Sequence, residues 1–325
     1  MWKRSALAVA LMALASSAVA GELTPLVGTD AWIEVPPGFT IGHGVRSNFV
    51  LYNEDGTAGV TASQSHMPNS ARDEIFKAPL TAEQLPMFGQ FLPGGMADIR
   101  IVNGKQWLIV AAKMPNGPGQ MWLVIPAWQP SITMSVLALD SGGDPNAAGA
   151  KLVDGVLRSF AVSRPQITTD GIDFGGLHLP AVAPFTFGQI SETGMARLYT
   201  IAPDQAPDGP KTYINLQFVA GNAEASTLEQ IGDRWLKYFD DSKVESSEER
   251  SILGEPALRQ TWSGTSNGKP QTVLGYIGSY GGQPFIVSAI IPSEQATPDL
   301  VAAFDQIATS ITLSKNVPII GGDQQ

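Results

Sequence analysis

The sequence predicts an α+β protein of two tandem domains, each an antiparallel β-sheet sandwiched between helices (α/β/α). Three observations predict it. A weak internal repeat recurs after about 150 residues, the size of an ordinary domain. Short Asn-Gly turns separate runs of strand length in each half. The middle runs are apolar on both faces, and a sheet buried on both sides needs a covering layer on each.

The repeat is clearest where each half ends. Residues 152–163 resemble residues 303–314, with Asp154 against Asp305, Ser159 against Ser310 and Ser163 against Ser314. Both runs read as the end of an amphipathic helix passing into a short strand. Asp144 before Pro145 opens the first helix, and Thr297 before Pro298 opens the second. An oxygen-bearing cap followed by proline satisfies free backbone donors without losing one the helix needs.

An earlier helix precedes the strands in each half. Thr81-Ala82-Glu83-Gln84 and Ser226-Thr227-Leu228-Glu229 both fit the reciprocal capping pattern. In the second half Leu228, Ile231, Trp235 and Phe239 share one helical face. In the first half Leu85, Phe88 and Leu92 do so, but Pro86 predicts a kink or a late start.

The strands follow. The first half offers 97–102, a turn at Asn103-Gly104, 105–113, a turn at 116–119, then 120–128 and 131–139. The second offers a turn at Gly254, 257–263, a turn at Asn267-Gly268, then 271–278 and 283–291. Trp122, Val124 and Trp128 alternate with Met121, Leu123 and Ile125, so both sides of that strand are apolar. The polar stretch Ser163-Arg164-Pro165-Gln166-Ile167 and its neighbours join the halves. The expected organisation is therefore a signal peptide at 1–20, a first domain at 21–163, a linker at 164–170, a second domain at 171–314 and a tail at 315–325.

This order resembles the PsbP-like fold, whose bacterial relatives include exported proteins of the DcrB-like type. The residues that carry the resemblance are the opening turn Pro36-Pro37-Gly38-Phe39 and the closing runs Arg158-Ser159-Phe160 and Thr309-Ser310-Ile311. It covers nearly the whole mature chain as two tandem copies. The second copy opens instead with Pro184-Phe185-Thr186-Phe187, without the glycine. The resemblance implies a fold, with roles in assembly, stabilisation or envelope physiology, and no set of functional residues.

Lys3, Arg4, the apolar run from Ala6 to Ala15 and Ala18-Val19-Ala20 form a secretory signal pattern, with cleavage expected after Ala20. The run is shorter than the roughly 20 apolar residues a membrane span needs. The expected location is the periplasm or the exterior. The chain has no cysteine, which excludes disulfides, thiolate metal sites and cysteine nucleophiles. Its formal net charge of −10 argues against nucleic acid and against anionic lipid.

Candidate chemistry is sparse. His43, His66 and His178 are the only histidines, and no two share a metal-binding helix spacing. Gly264-Thr265-Ser266-Asn267-Gly268 matches the nucleophile-elbow string, but strands rather than a helix should follow it, so a hairpin loop is expected. Asp240, Asp241, Glu245, Glu248 and Glu249 read as a solvated loop, diluted by Lys243 and Arg250. Trp107, Trp122, Trp128, Trp235 and Trp262 lie mostly at core periodicity. No catalytic, cofactor-binding or metal-ligating residue is assigned, and no cofactor is implied. The expectation is a non-enzymatic exported protein acting through contacts with a protein partner. The alternatives are a small-ligand or metal-ion binder using the interdomain cleft, and a hydrolase pairing Ser266 with one of the histidines.

Overall fold

The computed structural model describes residues 23–42, 51–64, 74–92, 94–114, 118–139, 145–191, 194–205, 212–219 and 227–318. The signal pattern, Asp144, Ser226, the turn residues Asn116 and Gly117, His43 and His66 lie outside the described residues.

The first half contributes β1 (Leu23–Pro25), β2 (Ala31–Glu34), β3 (Phe39–Ile41), β4 (Leu51–Asn53), β5 (Ala58–Gln64), β6 (Met96–Val102), β7 (Lys105–Lys113), β8 (Gly119–Pro126), β9 (Ile132–Leu139) and β10 (Ala161–Val162). The second contributes β11 (Gln166–Ile167), β12 (Gly171–Phe174), β13 (Leu177–Pro180), β14 (Phe187–Ser191), β15 (Met195–Tyr199), β16 (Tyr213–Phe218), β17 (Asp240–Ile252), β18 (Glu255–Ser266), β19 (Lys269–Tyr280), β20 (Gln283–Pro292) and β21 (Thr312–Leu313).

The two halves repeat the same topology. One seven-stranded sheet runs β3-β4-β5-β9-β8-β7-β6 and the other β14-β15-β16-β20-β19-β18-β17. Adding eleven to each strand of the first order reproduces the second. The small sheets obey the same rule: β1-β2-β10 corresponds to β12-β13-β21, with β11 added at one edge. All named pairings are antiparallel, as the short turns predict. Asn267 and Gly268 both have positive φ, as do Asn103 and Gly104, which is what a tight two-residue hairpin turn demands.

Helices cover both faces of the middle strands. In the first half, helix Pro145–Ser159 packs Leu152, Val153, Val156 and Leu157 with Ala31 and Ile33 of the small sheet onto Ile109, Val124 and Met134. On the opposite face Phe76, Leu80, Phe88 and Leu92 cover Leu108, Val110 and Ile125. In the second half, helix Pro298–Thr309 and the small sheet cover one face, and helix Leu228–Leu236 covers part of the other. The latter helix is capped by Thr227, whose hydroxyl accepts from the Gln230 amide, one residue later than the sequence pattern suggests. Around Pro86 the first-half segment is a single α-turn, Leu85–Phe88, between two 3-10 turns.

Two segments differ from expectation. The acidic stretch after Trp235 is not a loop but β17, a 13-residue edge strand. Its side chains are nearly all exposed, and the charges that suggested a loop also discourage a free sheet edge from pairing with another chain. The expected linker contains β11, which pairs Gln166 with Asp173 and so belongs to the second small sheet.

The small sheets meet at the junction of the halves. The turn between β1 and β2 reaches across, and Val27 at its tip is buried in the core of the second half. The Gly28 amide donates to the Gly175 carbonyl at 3.0 Å, joining that turn to the equivalent turn between β12 and β13. Ser163 and Ser314, aligned in the repeat, make matching bonds to these turns: the Ser163 amide donates to the Asp30 carbonyl at 2.8 Å, and the Ser314 amide to the Gly176 carbonyl at 2.9 Å.

Candidate functional site

Two regions gather polar side chains. The first is the domain junction. Trp32 lies on β2 between Ala31 and Ile33, which enter the first core, so its own side chain turns the other way, into the junction, where it is buried. Asp30, Trp32, Arg164, Asp173, Gly175 and Ser314 line a groove there whose cavity volume is only about 10 Å³. Small-molecule pockets run to several hundred Å³, so this groove has room for water rather than for an enclosed organic ligand.

Its carboxylates are engaged. Gln64 Nε2 donates to Asp30 Oδ2 at 2.7 Å, and the Asp30 amide donates to Gln64 Oε1 at 2.6 Å. Asp173 stands between Gln166, which donates to Oδ2 at 3.2 Å, and His178, whose Nδ1 is 3.0 Å from Oδ1. His178 Nε2 lies 4.0 Å from Asp170 Oδ2. These groups form a ladder across β11, β12 and β13, because Gln166 faces Asp173 and Asp173 faces His178 in register. Among the described residues no three His, Asp or Glu side chains are grouped to hold a metal ion.

The second region is the outer face of the large sheet in the second half. One row, in register through all seven strands, reads Gln189, Arg197, Asn215, Ser288, Gly275, Gln260 and Ser247. Helix Leu228–Leu236 packs over its far end, where Gly232 sits against the Gln260 side chain. Over β14 to β16 the face is polar and aromatic instead. The Arg197 Nε donates to Asn215 Oδ1 at 3.0 Å, and its guanidinium carbon lies 5.6 Å from the Tyr213 ring centroid. Tyr199 donates to Gln189 Oε1 at 2.7 Å and tilts against Tyr213 at 5.9 Å. Burial pushes the Tyr213 phenol above its ordinary pKa; neighbouring Arg197 opposes this and Tyr199 adds to it. Phe187, opposite Tyr199, is 41% exposed at the edge. Ser288 is fully buried, and its hydroxyl has no hydrogen-bond partner among the described residues.

The equivalent row of the first half runs Thr61, Ser135, Leu123, Val110 and Ala97. Both sheets thus change from apolar to polar at the same place; Tyr52, opposite Gly59, stands where Tyr199 stands in the second half, but among the described residues of the first half no cation faces this row. Sequence reasoning passed over this site. Its signal is faint: Met195 to Leu198 alternates half-buried with buried residues before buried Tyr199 breaks the pattern, and nothing local marks Asn215 as its partner.

No family model matches the chain, and no curated protein does. Three solved structures illustrate what it is similar to. The cyanobacterial PsbP of Synechocystis is 11% identical, with a TM-score of 0.34, over 46% of this chain and 92% of that one. LpqN of Mycobacterium tuberculosis, described as involved in cell envelope biogenesis, is 20% identical, with a TM-score of 0.33, over 46% of this chain and 90% of that one. The type VI secretion immunity protein TplEi of Pseudomonas aeruginosa is 12% identical, with a TM-score of 0.31, over 90% of this chain and 97% of that one. A PsbP structure therefore stands among the matches, in line with the resemblance read from the sequence. The likeness carries nothing beyond that, and the architecture stands on the repeated strand order.

The remaining sequence candidates fall as follows. Ser266 is the last residue of β18, directly before the Asn267-Gly268 turn, and faces Lys269. It lies in a hairpin, not in an elbow between strand and helix. Trp107, Trp122, Trp235 and Trp262 are buried, and Trp128 packs edge-on to Trp107 at 4.6 Å. No helix of the described residues is long and apolar enough to cross a membrane.

Proposed function

We propose that this protein is an exported, non-enzymatic component of the cell envelope that works by binding another protein through the outer face of β14 to β16. The observation that supports this reading is the Arg197–Tyr213–Asn215 cluster beside exposed Phe187. Arginine and tyrosine are the side chains that dominate protein interfaces, because each offers a large contact area together with directed hydrogen bonds. The junction groove offers less: its volume is small and its carboxylates already have partners. Location outside the cytoplasm rests on the signal pattern in residues 1–20.

Two measurements test the reading. N-terminal sequencing of the mature protein should return Gly21 first; an intact Met1 in the mature form counts against export. A photocrosslinking residue placed at Phe187 should give one discrete adduct in intact cells, whereas the same residue at Glu249 on β17 should not. Adducts of equal yield at both positions, or none at either, would remove the support for this face.

A further inference from the structure

Several described arginines are ion-paired; Arg197 is not, and unlike the exposed Arg158 and Arg164, also unpaired among the described residues, it is half-buried. Arg100 pairs with Asp98 and Asp154, Arg250 with Glu248, and Arg259 with Asp305. With 30 acidic and 20 basic side chains, carboxylates are plentiful. Arg197 nevertheless forms no ion pair with any described residue. Its Nε is held by the neutral amide of Asn215, and its plane is steadied by the Tyr213 ring. A guanidinium bound at Nε still has two terminal nitrogens, the donors that grip a carboxylate.

The same row is short of a partner a second time. Ser288 faces Asn215 directly across β16 and β20, and its wholly buried hydroxyl has no hydrogen bond among the described residues. Buried polar groups are usually paired, and Ser288 stands two strands from Arg197 in this row, with Asn215 between them. Tyr213, protonated over a wider pH range than a free phenol, adds a neutral donor.

We propose that Arg197 is a carboxylate-reading subsite, which receives one Asp or Glu side chain of the protein partner while Phe187 packs against an apolar neighbour of that residue. The proposal rests on the protein-binding reading of this face and names the chemistry of the partner. A single carboxylate fits better than a phosphate. Arg197 is the one cation among the described residues in its cross-strand row, and an acidic chain disfavours a second negative charge beside it.

The test uses the full mature chain and a display library of random ten-residue peptides. Enriched sequences should share an Asp or Glu. A synthetic copy of the best one should bind at least about tenfold more tightly than its Gln or Asn twin, and Arg197→Gln should lose the same factor, as expected for one charge-assisted contact. Arg197→Lys keeps the charge but not the fork, and should recover only part of the affinity. Thermal unfolding of each variant reports whether the fold is intact. Enriched peptides without an acid, no enrichment, or equal binding to Arg197→Gln would overturn the subsite. Acetate or inorganic phosphate displacing the peptide at its own concentration would overturn it in favour of a small-anion site. If the Phe187 adduct survives Arg197→Gln unchanged, the binding face stands and the subsite alone falls.

Discussion

Asp154 and Asp305 hold the same place in the two repeats, and each accepts a hydrogen bond from an arginine on the sheet beneath its helix. Arg100 Nη1 donates to Asp154 Oδ1 at 2.8 Å, and Arg259 Nε donates to Asp305 Oδ1 at 2.8 Å. The pairs differ in exposure. Arg100 and Asp154 are 39% and 45% exposed, while Arg259 and Asp305 are 11% and 34% exposed, and the second pair is bidentate through Nη2 and Oδ2.

Exposure sets the expected cost of breaking each. Asp305→Asn should destabilise the second half by about 1.5–3 kcal/mol, the value of a hydrogen bond to a charged group. Asp154→Asn should cost about 0–1 kcal/mol, as for a solvated pair. Denaturant unfolding of the two variants checks the difference, and equal losses would contradict it.

How much of this was legible beforehand follows from the same alignment. The repeat, both late helices and the central strands could be read because each buries apolar residues at a clear period. The expected 105–113 coincides with β7, and 283–291 falls one residue short of β20. The outer strands β3 to β5 and β14 to β16 were not individually legible, because their outward side is polar and their pairing is set by distant residues. Strand β17 was misread because every clue of a loop is also a clue of a charged edge. The Arg197 cluster is assembled across three strands, and cross-strand neighbours leave no local pattern.

A tryptophan stands over a glycine in each half. A Cβ added at Gly149 would come within 1.9 Å of Trp122 Cη2, and one at Gly275 within 2.1 Å of Trp262 Cη2. Gly149→Ala would raise helix propensity by about 1 kcal/mol at an open site. Here it should instead destabilise by about 1–3 kcal/mol or more, because the buried ring has little room to retreat. Calorimetry on Gly149→Ala and Gly275→Ala tests this; a stabilised Gly149→Ala would refute the packing argument.

Val27 lies in a core that its own half does not build. Val27→Ala should cost about 1–3 kcal/mol, from lost apolar burial and the space left behind. The loss should appear in hydrogen exchange of Phe174, Leu177 and Phe285 in the second half, whose residues share that cluster. Protection lost only around β1 and β2 would show that the turn is merely tethered.

Burial is the main cause holding the Tyr213, Tyr276 and Tyr280 phenols above the ordinary value. The folded pKa exceeds that of the unfolded chain, near 10, so the stability these groups contribute is complete below about pH 10 and falls as pH rises further. Ultraviolet titration of the native protein should show phenolate appearing later than in urea. Coincident curves would exclude it.

The shared strand order gives the polypeptide a direction of assembly. Every strand of the first large sheet lies before residue 140, so that sheet can close before the second has begun to form. The hairpin carrying Val27 spans only residues 23–34, so it can form before Phe285 and Phe304 arrive. Made by itself, the second half would lack the plug that Val27 supplies and leave a void in its place.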